Sequence, residues 1–249
     1  CFAERMSHRW KWTTKPWTAA NAGENVVLHP ERLDQPLRWR KPRRVFVVST
    51  GDLFHDRVPI YFIARIFARM IQAPQHIYLL LTKRPQRMLD CMERCIQDSI
   101  HAQCLLASPL YCGDAWPPKH CWLGITAEDQ RAADERIPLL LQTPAAVRWV
   151  SVEPMLSSVD LGYTFTKAYQ EGGGKAALDL CVVGGESGPH ARPMNLAWAR
   201  SLRDQCRVAG CAFYFKQMSQ ADGPGFKDFE SLPADLRIRE FPTLQGGIQ

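Results

Sequence analysis

The sequence has no apolar run approaching the roughly eighteen residues that cross a bilayer, which argues against a membrane-embedded chain. It has no strong excess of charge of either sign: the formal balance is +6, enough to permit an anionic partner without demanding one. It shows no internal repeat, and no signal-peptide pattern stands at its start. The glycine spacing of a dinucleotide-binding turn is also missing. Nine cysteines are present, but the number is odd and the spacing is not that of a small disulfide scaffold. These absences point to a cytoplasmic protein with reduced, buried or metal-binding thiols.

What is there is an alternation. Short apolar runs are expected as strands at 45–50, 77–82, 121–126, 147–152, 178–184 and 213–217, with a weaker one at 25–29. Near-continuous apolar strands are those covered on both faces of a parallel sheet. Between them, 58–72 places Ile60, Ile63, Ile66, Phe67 and Met70 on one helical stripe. Helices are also expected at 86–100, 132–142 and 195–209, with Pro59 and Pro85 at helix starts and Asp129 as an N-cap. Strands alternating with helices of this length make βα units. Seven such units are visible, so the expected fold is a (β/α)8 TIM-type barrel, or a partial barrel lacking its first βα unit. A doubly wound parallel sheet is the alternative. Residues 1–220 form the expected single domain and 221–249 a peripheral tail.

Polar residues follow each strand. Val45–Thr50 runs into Gly51-Asp52, Ile77–Leu81 into Thr82-Lys83, and Gly124-Ile125-Thr126 into Ala127-Glu128. Ser151-Val152 leads to Glu153, Val182-Val183 to Gly184-Gly185-Glu186-Ser187-Gly188, and the last strand ends at Lys216-Gln217. Parallel barrels keep their sites at the C-terminal strand ends. Asp52, Lys83, Glu128, Glu153 and Lys216 are therefore the candidate catalytic residues, since carboxylates and lysines there transfer protons or hold charged ligands. Gly184, Gly185, Glu186 and Ser187 form a candidate ligand-binding turn, because adjacent glycines let backbone approach a ligand. Glu186 would repel a pyrophosphate.

The run Arg38-Trp39-Arg40-Lys41-Pro42-Arg43-Arg44 interleaves cations with an aromatic and can hold phosphates. It precedes a strand, away from the expected site, and reads first as a solvated loop. Cys91 and Cys95 lie one helical turn apart, the spacing of half a metal site that Cys104 or Cys112 would complete, but Asp98 stands where a third cysteine of such a motif would follow; Cys181 and Cys206 read as core.

The ordered blocks resemble a known family. They are Cys1-Phe2-Ala3-Glu4, Leu28-His29-Pro30-Glu31-Arg32-Leu33, Asp52-Leu53-Phe54-His55 and Leu81-Thr82-Lys83-Arg84-Pro85. Leu123 to Asp129, Ser151 to Leu156, Val183 to Pro189, Arg192-Pro193 and Phe215-Lys216-Gln217 follow in the same order. Together they are similar to the three-cysteine-motif phage and bacterial proteins, which resemble radical S-adenosylmethionine enzymes. The resemblance implies that Cys1 is the third ligand of a [4Fe–4S] cluster, with the first two cysteines in an upstream unit that this chain lacks. The chain would then be a truncated, inactive fragment of an enzyme forming a 5′-deoxyadenosyl radical from S-adenosylmethionine. Its substrate is expected to be a nucleic acid or nucleotide, with a partner protein encoded nearby. Two further expectations stand beside it: a nucleic-acid- or protein-binding barrel with a structural cluster, and a cluster-free hydrolase or lyase using Asp52, Glu128 and Glu153. A barrel without its first strand would expose two sheet edges and associate readily.

Overall fold

A computed structural model describes residues 2–95, 116–162, 164–165, 178–223 and 226–243. Cys1, Cys104 and Cys112 lie outside them. The chain divides into two compact units, one of Cys1–Trp122 with Thr143–Ala146, the other of Leu123–Gln142 with Val147–Gln249. No described helix is long and apolar enough to cross a membrane.

The first unit opens with the helices α1 (Phe2–Arg9), α2 (Ala22–Asn25) and α3 (Gln35–Arg38), followed by β1 (Arg44–Val47). Then come α4 (Ile60–Gln72), β2 (Ile77–Thr82) and α5 (Pro85–Asp90). The strand expected at 25–29 does not form. Asn25 ends α2 and Val26 to His29 run as irregular chain. Neither valine is buried, Val26 being half-buried and Val27 exposed, so little apolar burial favours pairing there. Helix α4 starts two residues after the apolar pattern does, because Pro59 holds extended backbone at its N-cap. Its buried stripe is Phe62, Ile63, Phe67, Met70 and Ile71. The helix expected at 86–100 runs as α5 to Asp90 and continues as a π turn over Cys91–Cys95; residues 96–100 lie outside the described residues. In β2 the burial alternates, with Tyr78, Leu80 and Thr82 inside. β1 pairs with it in parallel, Arg44 opposite Ile77 and Val47 opposite Leu80.

In the second unit lie α6 (Gln130–Gln142), β4 (Val147–Val152), β5 (Leu180–Gly184), α7 (Leu196–Ala209) and β6 (Ala212–Gln217). Strand β3 (Cys121–Thr126) begins in the first unit and ends in this one, buried along its whole length. A Cβ on Gly124 would stand 2.4 Å from the Trp149 ring, so glycine there makes room for the β4 indole. Helix α7 is well punctuated. The Asn195 side chain accepts from the Ala197 amide at 2.9 Å. At the other end Gly210 takes φ 70°. The Cys211 amide returns to the Cys206 carbonyl at 2.9 Å and that of Gly210 to Arg207 at 3.4 Å, a Schellman closure.

The strands stand in chain order, β1 to β6, in one six-stranded sheet of an α/β fold, with β1–β2, β4–β5 and β5–β6 parallel. That much of the expected fold is present, and six strands form among the described residues rather than seven. One expected open edge is covered. The Phe215 amide donates to the Ile238 carbonyl at 2.8 Å, and the Glu240 amide to Phe213 at 3.0 Å. The segment after Gln220 thereby lies along β6 and sends Leu232 and Leu236 into the interior. β1 stands at the other end of the order.

Candidate functional site

Asp52 follows β1 by five residues, and its loop is fixed by its own carboxylate. Oδ1 accepts from the Phe54 amide at 3.0 Å and the Thr82 hydroxyl at 2.7 Å. Oδ2 accepts from the Lys83 amide at 3.2 Å and from Arg84 Nη1 at 3.0 Å. Four donors occupy this carboxylate, so within the first unit it ties the end of β2 to the loop after β1. The Lys83 side chain is exposed beside it.

The second unit holds the richer arrangement. Glu153 follows β4 and Lys216 lies in β6, so the strand between them, β5, separates their backbones. That strand ends in Gly184, which has no side chain to keep them apart. Lys216 Nζ donates to Glu153 Oε2 at 2.9 Å, with the glutamate side chain 20% and the lysine 51% exposed. A Cβ on Gly184 would meet Glu153 Cδ at 3.4 Å and Gln217 Cγ at 3.5 Å, and so would fill the floor beneath the pair. Gly185 is tighter still: its amide donates to the Gln217 carbonyl at 3.0 Å, and Gln217 Nε2 donates to the Gly185 carbonyl at 3.0 Å. Met155 donates its amide to the Gly184 carbonyl at 2.9 Å, which ties the loop after Glu153 to the end of β5.

Beyond Gly185 the chain turns on Glu186. Its carboxylate accepts from the Arg192 amide and Nε, both at 2.9 Å, and from Nη2 at 3.1 Å. The Arg192 guanidinium, with its amide, holds this carboxyl at about 2. Glu186 is therefore an anion at neutral pH and fixes the loop; a proton donor near neutrality would need the opposite shift. Ser219, fully buried, donates its hydroxyl to the Arg192 carbonyl at 2.5 Å. Ser187 is half-buried in the same turn. Glu128 forms a separate pair. Arg136 Nη1 bridges Glu128 Oε2 at 2.9 Å and the Thr126 carbonyl at 2.7 Å.

The structure thus brings Glu153, Lys216, Gly184, Gly185 and Glu186 to one end of β4, β5 and β6. Glu128 is held in its own βα unit, and Asp52 and Lys83 belong to the first unit. Gln217 and Arg192 complete the arrangement. Gln217 was marked only as a strand end and Arg192 only as part of a resembling block. Their partners lie 32 and six residues away and have no local sequence signal.

The cysteines offer no cluster site among the described residues. Cys91, Cys121, Cys181, Cys206 and Cys211 are buried, as the core reading of Cys181 and Cys206 expects. No three metal-ligating side chains converge among the described residues.

Residues 1–228 match the model of a family described as "Protein of unknown function (DUF5131)". No curated protein and no solved structure matches the chain. The match carries neither the three-cysteine motif nor radical chemistry with it.

Proposed function

The chain belongs to the DUF5131 family, and we propose that it is an enzyme scaffold that binds S-adenosylmethionine by its amino-acid end at Glu153 and Lys216. One observation carries this reading: an acid–base pair 2.9 Å apart lies over a glycine floor that a methyl group would fill. A zwitterionic amino acid presents an ammonium and a carboxylate on one carbon. Inserted into the pair, it gives its ammonium to Glu153 and its carboxylate to Lys216, replacing one ion pair with two. The half-exposed lysine moves without cost in packing. Gly184 carries no side chain, so the rest of the ligand can lie along the end of β5.

S-adenosylmethionine is the member of that ligand class implied by the resembling blocks. The strand order supports a partial barrel over a doubly wound sheet. Barrels add strands in sequence, whereas doubly wound sheets reverse order at a switch point. The cluster-dependent half of the expectation, a [4Fe–4S] centre that reductively cleaves the sulfonium, rests on Cys1, outside the described residues.

Titration calorimetry with S-adenosylmethionine tests the binding. Glu153→Gln and Lys216→Met should each weaken it tenfold or more. Gly184→Ala should do the same while leaving the melting temperature nearly unchanged, because its Cβ meets only ordinary contacts. Absence of binding to the unaltered protein, or equal binding by all three variants, overturns the reading. Formation of 5′-deoxyadenosine after anaerobic supply of iron, sulfide and reductant tests the radical half separately.

A further inference from the structure

The net charge of this chain is concentrated. Residues 1–57 hold eleven Lys and Arg against six Asp and Glu, leaving twenty against nineteen in the remainder. Within that stretch Arg38, Arg40, Lys41, Arg43 and Arg44 fall in seven residues without an acid, and all five are exposed. The acids nearby are engaged elsewhere: Asp34 by Arg69 at 2.6 Å, Glu24 by Lys15, Asp52 by Arg84 at 3.0 Å. Among the described residues no ion pair involves Arg38, Arg40 or Lys41. Holding such charges together costs repulsion energy, and a solvated loop would let them spread.

This loop is not free to spread. His76, fully buried at the start of β2, accepts from the Arg43 amide at 3.2 Å through Nδ1 and reaches the Pro36 carbonyl at 3.1 Å through Nε2. Trp39 stands edge-on against its ring at 5.6 Å. The Ile77 amide donates to the Arg43 carbonyl at 2.9 Å. The basic run is therefore held to the turn before β2 at Trp39 and Arg43, with Pro36 held just before it. Its guanidinium groups carry an aromatic component: Arg43 lies 5.0 Å over the Trp39 ring. Arg44 and Phe46, two residues apart, share the exposed face of β1, where Phe46 is 44% exposed.

From this fixed array we infer that the N-terminal end of β1 is a docking surface for single-stranded nucleic acid, distinct from the Glu153–Lys216 site and independent of it. Four of the five cations are arginines, whose planar forks grip phosphate oxygens in pairs and stack on rings, as a lysine-rich lipid-binding segment does not. Reading a duplex through its grooves takes a helix or a β-ribbon. The run here leaves the short helix α3 at Arg38 and enters β1, the terminal strand of the order among the described residues. There the ring of Phe46, 44% exposed, is of a kind on which a base can stack.

Fluorescence anisotropy of a labelled twenty-residue oligothymidylate tests this directly. The protein should bind it with an affinity that falls steeply with salt. Arg40→Glu with Lys41→Glu, both at exposed positions, should weaken binding at least tenfold. It should also reduce the slope of log K against log salt by about 1.4, from ~0.7 per phosphate contact on single strands. Arg131→Glu with Arg207→Glu changes net charge equally in the other unit and should leave the slope as it was. Phe46→Ala should lower affinity with the slope intact. An equal loss in the control pair overturns the inference, as does an unchanged slope in the test pair. So does binding to a hairpin duplex or to phosphatidylserine vesicles as tight as to the oligothymidylate. Thermal melts of each variant separate these outcomes from misfolding.

Discussion

A Cβ on Gly185 would lie 2.3 Å from the backbone nitrogen of Ser219, so the end of β5 and the segment after β6 approach as closely as two backbones can. Met218 C and Ser219 Cα would stand 2.6 Å away. None of these is the far end of a flexible side chain, and relief requires moving main chain. The Gln217 bonds to Gly185 fix that main chain on both sides.

Gly185→Ala should therefore destabilise the protein by about 1–3 kcal/mol, the usual cost of overpacking. In a domain of this size that lowers the melting temperature by roughly 2–4 °C for each kcal/mol. Gly184→Ala, with ordinary contacts, should not. Calorimetric melts of the two variants make the comparison, and equal melting temperatures would show that the two loops separate freely.

The Glu186 carboxyl, depressed by Arg192, should titrate near pH 2 rather than at the ordinary 4.5. Its pairing is complete above about pH 4.5 and is lost as the pH falls through about 2, since protonation removes the charge that Arg192 holds. Because Arg192 is 60% exposed, the effect on global stability is small and screened by salt. Carboxyl carbon shifts across that range would follow it. Arg192→Gln should bring the midpoint back toward 4.5; a midpoint already at 4.5 in the unaltered protein would mean that the pair does not form.

Cys91, Cys121, Cys181, Cys206 and Cys211 should resist alkylation by iodoacetamide in the folded protein and react in denaturant. Each is buried, and burial pushes the Cys121 thiol well up, away from the reactive thiolate. Peptide mapping after brief labelling checks this residue by residue. Rapid native labelling of Cys181 or Cys206 would show that the packing of α7 against β5 opens readily.

Much of the strand pattern was legible because buried strands need continuous apolar runs. Ile77–Thr82, Cys121–Thr126 and Val147–Val152 form with the expected bounds. The pattern failed where burial failed, at Val26-Val27. It also could not separate β6 from the segment that covers it, since Phe215 and Ile238 meet only in three dimensions. At the candidate site, strand ends and the paired glycines marked the positions, while nothing local marked who pairs with whom. Glu153 and Lys216 are 63 residues apart, and their meeting depends on a side-chain-free end to the strand between them. The basic run was visible as composition; its rigidity came from His76, more than thirty residues on.

The sequence by itself determined the alternating α/β order, the helix starts at Pro59, Pro85 and Asp129, and the polar character of the strand ends. Those follow from periodicity and backbone preference, which act over a few residues. Only the tertiary structure decided which carboxylates are tied to arginine, which one meets a lysine across a strand end that has no side chain, and which edge of the sheet is covered. Those depend on distances between residues far apart in the chain, and only packing fixes them.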